Sequence, residues 1–402
     1  MKRAIVIGGS LGGLLAANML HHAGWKVDVY ERVGEALAER GAGVVTHAEL
    51  DAAFRRVGIR VDSDLGIAVP ARITLARDGT VISERAHPQV LTAWGRLYSL
   101  LKNNFPAQNY HPGKQLAAVA QDGGTVRASF SDGSTAEADL LIAADGIRST
   151  VRQQFLPEVQ PQYAGYIAWR GLVDENALSP ATHALLFNRF GFCLPPREQI
   201  LGYPVAGAHD AMAPGERRYN FVWYRPADAA ELARLSTDDT GHVHQNGIPP
   251  PLIAKSVMAE LRHAADTVLA PQFAEVVART RQPFFQPIYD LESPDMAFGR
   301  VVLLGDSAFV ARPHCGMGVT KAAGDAVALV DQIGRAGIDL GVRLYSEQRV
   351  AFGRQIVAHA RHLGAYMQAQ LSTDRERAMA ARYRTPDAVM TQTAVAPDFS
   401  AH

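Results

Sequence analysis

Cysteine is almost missing from this 402-residue chain: only Cys193 and Cys315 are present. They lie far apart with no metal spacing, so neither a disulfide framework nor a zinc site is supported, and the usage suits a reducing cytoplasm. The 14 histidines show no paired Cys/His ligand motif, so no metal is expected. An excess of one charge is missing as well. Lys and Arg total 40 and Asp and Glu total 40, which leaves no basic field for nucleic acid and no acidic tail. No apolar run approaches the ~18 residues of a membrane span, and the apolar N-terminus lacks a signal-peptide cleavage pattern. Internal repeats and low-complexity segments are not found. The expectation is a soluble, cytoplasmic enzyme, long enough for two domains and a large core.

What is present begins at once. Ala4-Ile5-Val6-Ile7 is a short apolar run suited to a buried parallel strand. Gly8-Gly9-Ser10-Leu11-Gly12-Gly13 follows, then helical apolar spacing over residues 11–23, then an apolar run at 27–30 ending on Glu31. Strand, glycine turn, helix, strand and acid form the dinucleotide fingerprint. Gly8 permits the tight turn, and Gly13 lets the helix pack closely on the strand. The helix N-terminus at Ser10 and Leu11 offers N–H groups to a pyrophosphate. Glu31, with Arg32 beside it, stands 18 residues beyond Gly13, where a carboxylate accepts from the adenosine ribose. A carboxylate there favours an unphosphorylated ribose, hence FAD or NAD as the resident cofactor. One departure is Ser10, which replaces the middle glycine; its hydroxyl can donate to a phosphate oxygen. The alternative is a glycine-rich turn without a ligand.

Further along, the spacing predicts a helix near 49–57 and a hairpin of strands 73–76 and 81–84 about Asp78-Gly79. A helix follows at 93–105, then three strands at 116–121, 126–130 and 136–143. Residues 163–283 are richer in aromatics, with strands near 167–173, 202–205 and 219–224. Pro249-Pro250-Pro251 marks a loop before two helices. A buried strand is expected at 300–305, a helical region from about 319 to 382, and a poorly ordered tail from 385.

Two more blocks carry chemistry. One is Leu141-Ile142-Ala143-Ala144-Asp145-Gly146-Ile147-Arg148-Ser149-Thr150-Val151-Arg152; the other is Val301-Val302-Leu303-Leu304-Gly305-Asp306-Ser307 with Pro313-His314-Cys315-Gly316-Met317-Gly318 after it. With the glycine turn, in this order, the chain resembles the single-component flavoprotein monooxygenases, the aromatic-ring hydroxylases, over roughly residues 1–360. The blocks at 163–171 and 311–314 look most like hydroxylases of hydroxylated pyridines and related N-heterocycles.

The resemblance implies an α/β fold with a discontinuous, doubly wound, Rossmann-like FAD-binding domain (1–68, 92–160 and 284–345). A mostly antiparallel substrate-binding sheet (69–91 and 161–283), C-terminal helices (346–385) and a tail (386–402) complete it. It implies FAD as resident cofactor, NADH or NADPH as transient co-substrate, and O2 with a small aromatic ring as substrates, reacting through a C4a-hydroperoxyflavin. A second glycine-rich nucleotide fold is missing, and the two cysteines cannot form a redox-active C-x-x-x-x-C, which excludes the two-dinucleotide disulfide reductases.

The same resemblance assigns roles to residues. Asp145 and Gly146 are linked to flavin and pyridine-nucleotide binding, and Asp306 to the ribityl chain. Backbone N–H groups around Pro313, Gly316, Met317 and Gly318 would face the flavin N1/C2 side, with Met317 either pocket lining or core. Arg40 and Arg96 would contact the cofactor, and Leu116 the adenine through its backbone. His47, Tyr203 and His314 are candidates to orient or deprotonate the substrate; for each the alternative is a packed or backbone-bonded polar residue. Trp169, Trp223 and Tyr224 are expected to build the sheet roofing the pocket. Other activities remain open: an isoprenoid-type FAD-dependent reductase, or a hydroxylase of phenolic or urate-like substrates. The Trp-x-Trp-x-Ile-Pro block of flavin halogenases is missing. Monomer and homodimer are both compatible with the sequence.

Overall fold

The computed structural model describes residues 1–34, 43–61, 65–245 and 247–399. Six strands form one sheet in the order Ala297–Phe298, Val301–Leu303, Leu140–Ala143, Arg3–Ile7, Lys26–Glu31 and Tyr110–Pro112. All neighbours run parallel except the edge pair at Ala297–Phe298. The apolar run at residues 4–7 is buried on both faces, as a central parallel strand requires. Register decides the rest: Ile7 pairs with Ala143, and Ala143 with Leu303.

Helix Leu11–His22 packs against the start of helix Gly318–Gly364, and a Cβ on Gly12 would stand 3.2 Å from both Ala322 and Leu304. Where a doubly wound sheet would carry further helices, a three-stranded meander packs instead, adding Val126, Ala128 and Phe130 to the same core. The single strand expected at 136–143 is two. Thr135–Ala138 closes the meander, whereas Leu140–Ala143 joins the parallel sheet. Asp139 makes the corner: its N–H donates to Arg3 O at 3.0 Å and its carboxylate accepts from Arg3 N–H at 2.8 Å.

The second sheet has nine strands, in the order Phe309–Val310, Phe284–Glu292, Gln162–Asp174, Arg218–Pro226, Gln199–Val205, Arg189–Cys193, Ile67–Leu75, Val81–Ala93 and Gly43–Val45. Only the Arg189–Cys193 and Ile67–Leu75 pair is parallel. Sequence reading missed Arg189–Cys193, because burial of four of its five residues erases the polar alternation that marks a strand. The hairpin is longer than expected for the opposite reason. Its second strand carries an exposed, polar stretch through Ser83, Glu84 and Arg85.

Side chains alternate across this sheet. Trp169 and Trp223 fall on the face covered by helices Lys255–Val268 and Pro271–Arg279, while Tyr203 and Tyr224 belong to a cluster on the other face. The two tryptophans are thus core residues of the sheet that roofs the pocket, as expected, and of the three aromatics only Tyr224 lines the cavity.

The C-terminal helical region is interrupted at Gly337 (φ +76°) and again after Gly364, before helix Asp374–Tyr383. Residues 385–399 are not the poorly ordered tail expected. Pro386–Gln392 is a helix, capped by the Thr385 hydroxyl, with Val389 and Met390 buried. A Thr-Pro pair is an N-cap followed by proline at the first helical position, so the signal was local. Among the described residues no helix is long and apolar enough to cross a membrane.

Arg152 ties the loops together. Its fully buried guanidinium donates to Ser307 O at 2.9 Å and to Ile147 O at 2.5 Å. Arg152→Met leaves both carbonyls unsatisfied, at about 1–3 kcal/mol each. Urea titration is expected to show a loss of about 2–5 kcal/mol; a loss under about 0.5 kcal/mol would show the staple to be idle.

Candidate active site

Because the three central strands run parallel in register, Gly8, Asp145 and Asp306 all leave the sheet at one carboxyl edge, where open α/β sheets bind ligands. Gly8 has φ +101°, and a Cβ on it would lie 2.3 Å from Ala144 O. A Cβ on Gly13 would lie 1.9 Å from Gly8 O, so helix and strand touch backbone to backbone there. Ser10, at φ −83°, needs no glycine, and its side chain makes no capping hydrogen bond. It lines a cavity of about 290 Å³ together with Gly8, Glu31, Arg32, Leu116, Asp145 and Gly146. Leu11 is buried in the core, so only its backbone serves the helix N-terminus.

Glu31 accepts from Gly9 N–H at 2.8 Å and from Val33 N–H at 2.9 Å. Each carboxylate oxygen has a second lone pair, which leaves capacity for ribose hydroxyls. Asp145 accepts from Thr150 N–H at 2.8 Å through Oδ2, while its buried Oδ1 has no partner among the described residues. Burial pushes its carboxyl above the usual range, against the pull of the hydrogen bond from Ser149. Lys114 also lines this cavity and was missed; its backbone N–H donates to Glu31 O at 2.8 Å.

Asp306 opens into a second cavity of about 1100 Å³. Asp306 is exposed at the wall of that cleft, yet desolvation by the protein around it raises its pKa, with Lys321 opposing and Asp325 adding to the rise. The turn is held from behind. Asp325 accepts from Gly305 N–H at 3.0 Å and from Arg349 Nε at 2.6 Å, and Lys321 Nζ lies 3.5 Å from it.

Pro313, His314, Gly316 and Gly318 line the same second cavity from one side, with Tyr203, Tyr224 and Arg170 on the sheet side. Gly316 has φ +68°, and a Cβ on it would stand 3.3 Å from Ala394 Cα; a Cβ on Gly318 would meet nothing within 4 Å, so only there is the backbone open. Met317 instead packs its side chain with Cys315, Ile356 and Leu363. His314 Nε2 lies 2.6 Å from the Tyr166 hydroxyl. Burial foremost, then Arg312 and Arg170, pushes its pKa down to about 3. His47 occupies the N-cap position of helix Ala48–Arg56 without a capping side-chain bond, and its Nδ1 lies 3.0 Å from Thr320 Oγ1. Burial lowers its pKa, with Glu49 opposing. It stands behind the glycine loop, its Cε1 3.6 Å from where a Gly316 Cβ would be.

One arginine stands apart from these groups. Arg96 lies 3.5 Å from Asp210 and, among the described residues, lines neither cavity. Arg40 lies outside the described residues. Trp94 and Arg148 line both cavities and join them. Arg170 was missed: its buried Nε has no partner among the described residues, yet nothing local in a strand tells which face an arginine takes. An acid beside a glycine cradle, leading to a larger cleft that ends on an acid and a glycine loop, fits a molecule of FAD's length and polarity.

The histidines set a pH dependence. His314 stays neutral in the fold but titrates near 6.5 when unfolded, so below that value the unfolded state takes up the proton first. Its contribution is complete above about 6.5 and is lost as pH falls toward about 3, and His47 shifts in the same sense. Melting temperature should hold above pH 7 and fall between pH 6.5 and 4. His314→Gln should flatten that fall; an unchanged slope would assign it to other groups.

Comparison with known proteins points the same way. The family described as FAD binding domain-like matches residues 163–290. The chain is 34% identical over 342 residues to 2,6-dihydroxypyridine 3-monooxygenase of Paenarthrobacter nicotinovorans, covering 82% of each. It is 26% identical over 372 residues to 6-hydroxynicotinate 3-monooxygenase of Bordetella bronchiseptica, covering 86% of this chain and 87% of that one. The solved structure of 2,6-dihydroxypyridine-3-hydroxylase from Arthrobacter nicotinovorans superposes with a TM-score of 0.86 at 28% identity, over 92% of this chain and 94% of that one.

Proposed function

The chain belongs to the single-component, FAD-dependent aromatic-ring monooxygenases, and from that premise we propose that it hydroxylates a hydroxylated pyridine or related N-heterocycle, using O2 and NADH or NADPH. The observation that carries the substrate class is the second cavity. It joins Asp306 and the 313–318 loop to a wall of Tyr203, Tyr224 and Arg170. The redox chemistry, hydride acceptance from the nicotinamide and activation of O2, is supplied by FAD when bound.

The chain's own residues would do the rest. Ser10 and the N–H groups at the start of helix Leu11–His22 would hold the pyrophosphate, Glu31 and Arg32 the ribose side, and Leu116 the adenine. Asp145 and Gly146 lie between the two ends, and Asp306 would accept from the ribityl hydroxyls. The N–H groups at Met317 and Gly318, opening helix Gly318–Gly364, would stabilise negative charge on the pyrimidine side of the ring system, whereas the Gly316 N–H donates to Pro313 O at 2.9 Å. Arg170 is a fixed cation on the cavity wall, and it favours the ionised form of a ring hydroxyl. Ionisation enriches the ring in electrons, which an electrophilic oxygen needs. Tyr203, His314 and His47 are the candidates to orient or deprotonate that hydroxyl: Tyr203 and His314 line the cavity, His314 as a neutral hydrogen-bonding group with its pKa pushed down to about 3, and His47, which stands behind the glycine loop, would act from there. An isoprenoid reductase is not favoured, since the relatives matched are ring hydroxylases.

The test is a panel of hydroxypyridines, urate-like purines, simple phenols and an isoprenoid. A hydroxypyridine should stimulate NAD(P)H oxidation and yield a product heavier by one oxygen atom. Stimulation only by the purine or phenol would move the substrate class, and only by the isoprenoid would end the monooxygenase reading. Asp306→Ala should purify without flavin. His47→Ala should keep flavin and lose about 100-fold or more in hydroxylation; equal flavin loss in both would sink these roles.

A further inference from the structure

Arg72 sits in the middle of strand Ile67–Leu75 and is wholly buried. Among the described residues it has no carboxylate partner. Its guanidinium donates to Met390 O at 2.8 Å, Thr393 O at 2.7 Å and Ala394 O at 3.1 Å, and to Gln89 Oε1 at 2.6 and 2.9 Å. Gln89 Nε2 adds a second donor to Ala394 O at 3.0 Å. Burying a cation on neutral acceptors is costly, and apolar residues would hold a helix to a sheet at less expense. What a guanidinium adds is direction: it fixes three carbonyls at the C-terminal end of helix Pro386–Gln392, where the helix dipole also favours a cation.

Those carbonyls belong to a segment that touches the reaction cavity. Ala394 holds φ +54°, a left-handed conformation rare outside glycine. In that conformation its N–H donates to His314 O at 2.7 Å. Its Cα would stand 3.3 Å from a Cβ on Gly316, and Thr393 and Ala394 both line the cavity. The same guanidinium lies 5.2 Å from the ring of Phe190, another cavity residue.

We propose that residues 385–394 are a wall of the reaction cavity, with Thr393 setting the room for the substrate ring and Arg72 acting as the positioning residue that holds the wall against the His314 loop. This rests on the monooxygenase reading above. The wall keeps water out and confines the ring, so that oxygen transfer outruns the unproductive reaction. In that reaction NADH, a proton and O2 give NAD⁺ and H2O2, with no oxygen reaching the ring.

The test uses the full-length, FAD-loaded protein and measures product, NADH and H2O2 together. Thr393→Phe should keep its flavin content and raise KM for the hydroxypyridine by about tenfold or more, with kcat nearly unchanged. Arg72→Met should keep flavin and divert at least half of the NADH consumed to H2O2, with Arg72→Lys in between. Trypsin should cut after Arg382 or Arg384 in Arg72→Met under conditions that spare the wild type. Unchanged KM in Thr393→Phe, together with unchanged coupling in the Arg72 variants, would overturn the proposal. If Arg72→Met does not fold, Arg72→Lys and Thr393→Phe decide it. If the wild type hydroxylates no ring, the proposed function fails, yet the trypsin comparison, which needs no substrate, still decides whether Arg72 holds the segment; an uncut Arg72→Met would overturn it.

Discussion

Ile7, Ala143 and Leu303 lie side by side on three adjacent parallel strands, and nearly everything about this molecule follows from that register. Parallel pairing sends all three chains out of the sheet in one direction. A glycine turn, an Asp-Gly loop and a Gly-Asp turn, far apart in sequence, thereby share one rim. The rim is then locked locally. Ser307 Oγ donates to Ala143 O at 2.7 Å, and Arg152 spans the second and third loops. A slip of one residue in any of these strands would exchange the faces on which its side chains pack and move its loop off the rim.

Charge around the two cavities is managed from behind. Asp325, Lys321 and Arg349 form a buried cluster under the Asp306 turn. Asp290 holds Arg312 through both carboxylate oxygens, at 3.0 and 2.9 Å, and Arg361 at 3.0 Å, beneath the His314 loop. Removing one member of such a cluster strands the others in a poor dielectric, which makes each loop position hard to shift. Around the cavities, by contrast, the titratable groups are shifted by burial. Burial keeps the imidazoles neutral and raises the acids. That is the state suited to holding an uncharged or singly ionised ring away from water.

The large sheet serves two cores at once. Trp223 and Tyr224 are sequence neighbours, yet one packs under helices and the other faces the cavity. The C-terminal segment closes the remaining side, joined to the sheet through Arg72 and to the His314 loop through Ala394.

How much was legible depends on the range of the requirement. Gly8, Gly13 and Glu31 could be read from the sequence because a tight turn, a close helix and an acid at the end of a strand are demands of a single βαβ unit. Asp306 and the 313–318 loop could be read because strand, turn and helix follow one another without interruption. The break at Asp139, the faces of Trp169 and Trp223, and the facing of Arg170 and Lys114 could not, since each depends on which distant strand lies alongside. The same holds for the join of Arg72 to residues 390–394, more than 300 positions away. The sequence by itself determined that an adenine dinucleotide could be cradled and that a flavin loop could follow. Only the tertiary structure decided which aromatic and charged side chains meet that loop, because a side chain's neighbours are set by sheet register and packing rather than by its place in the chain.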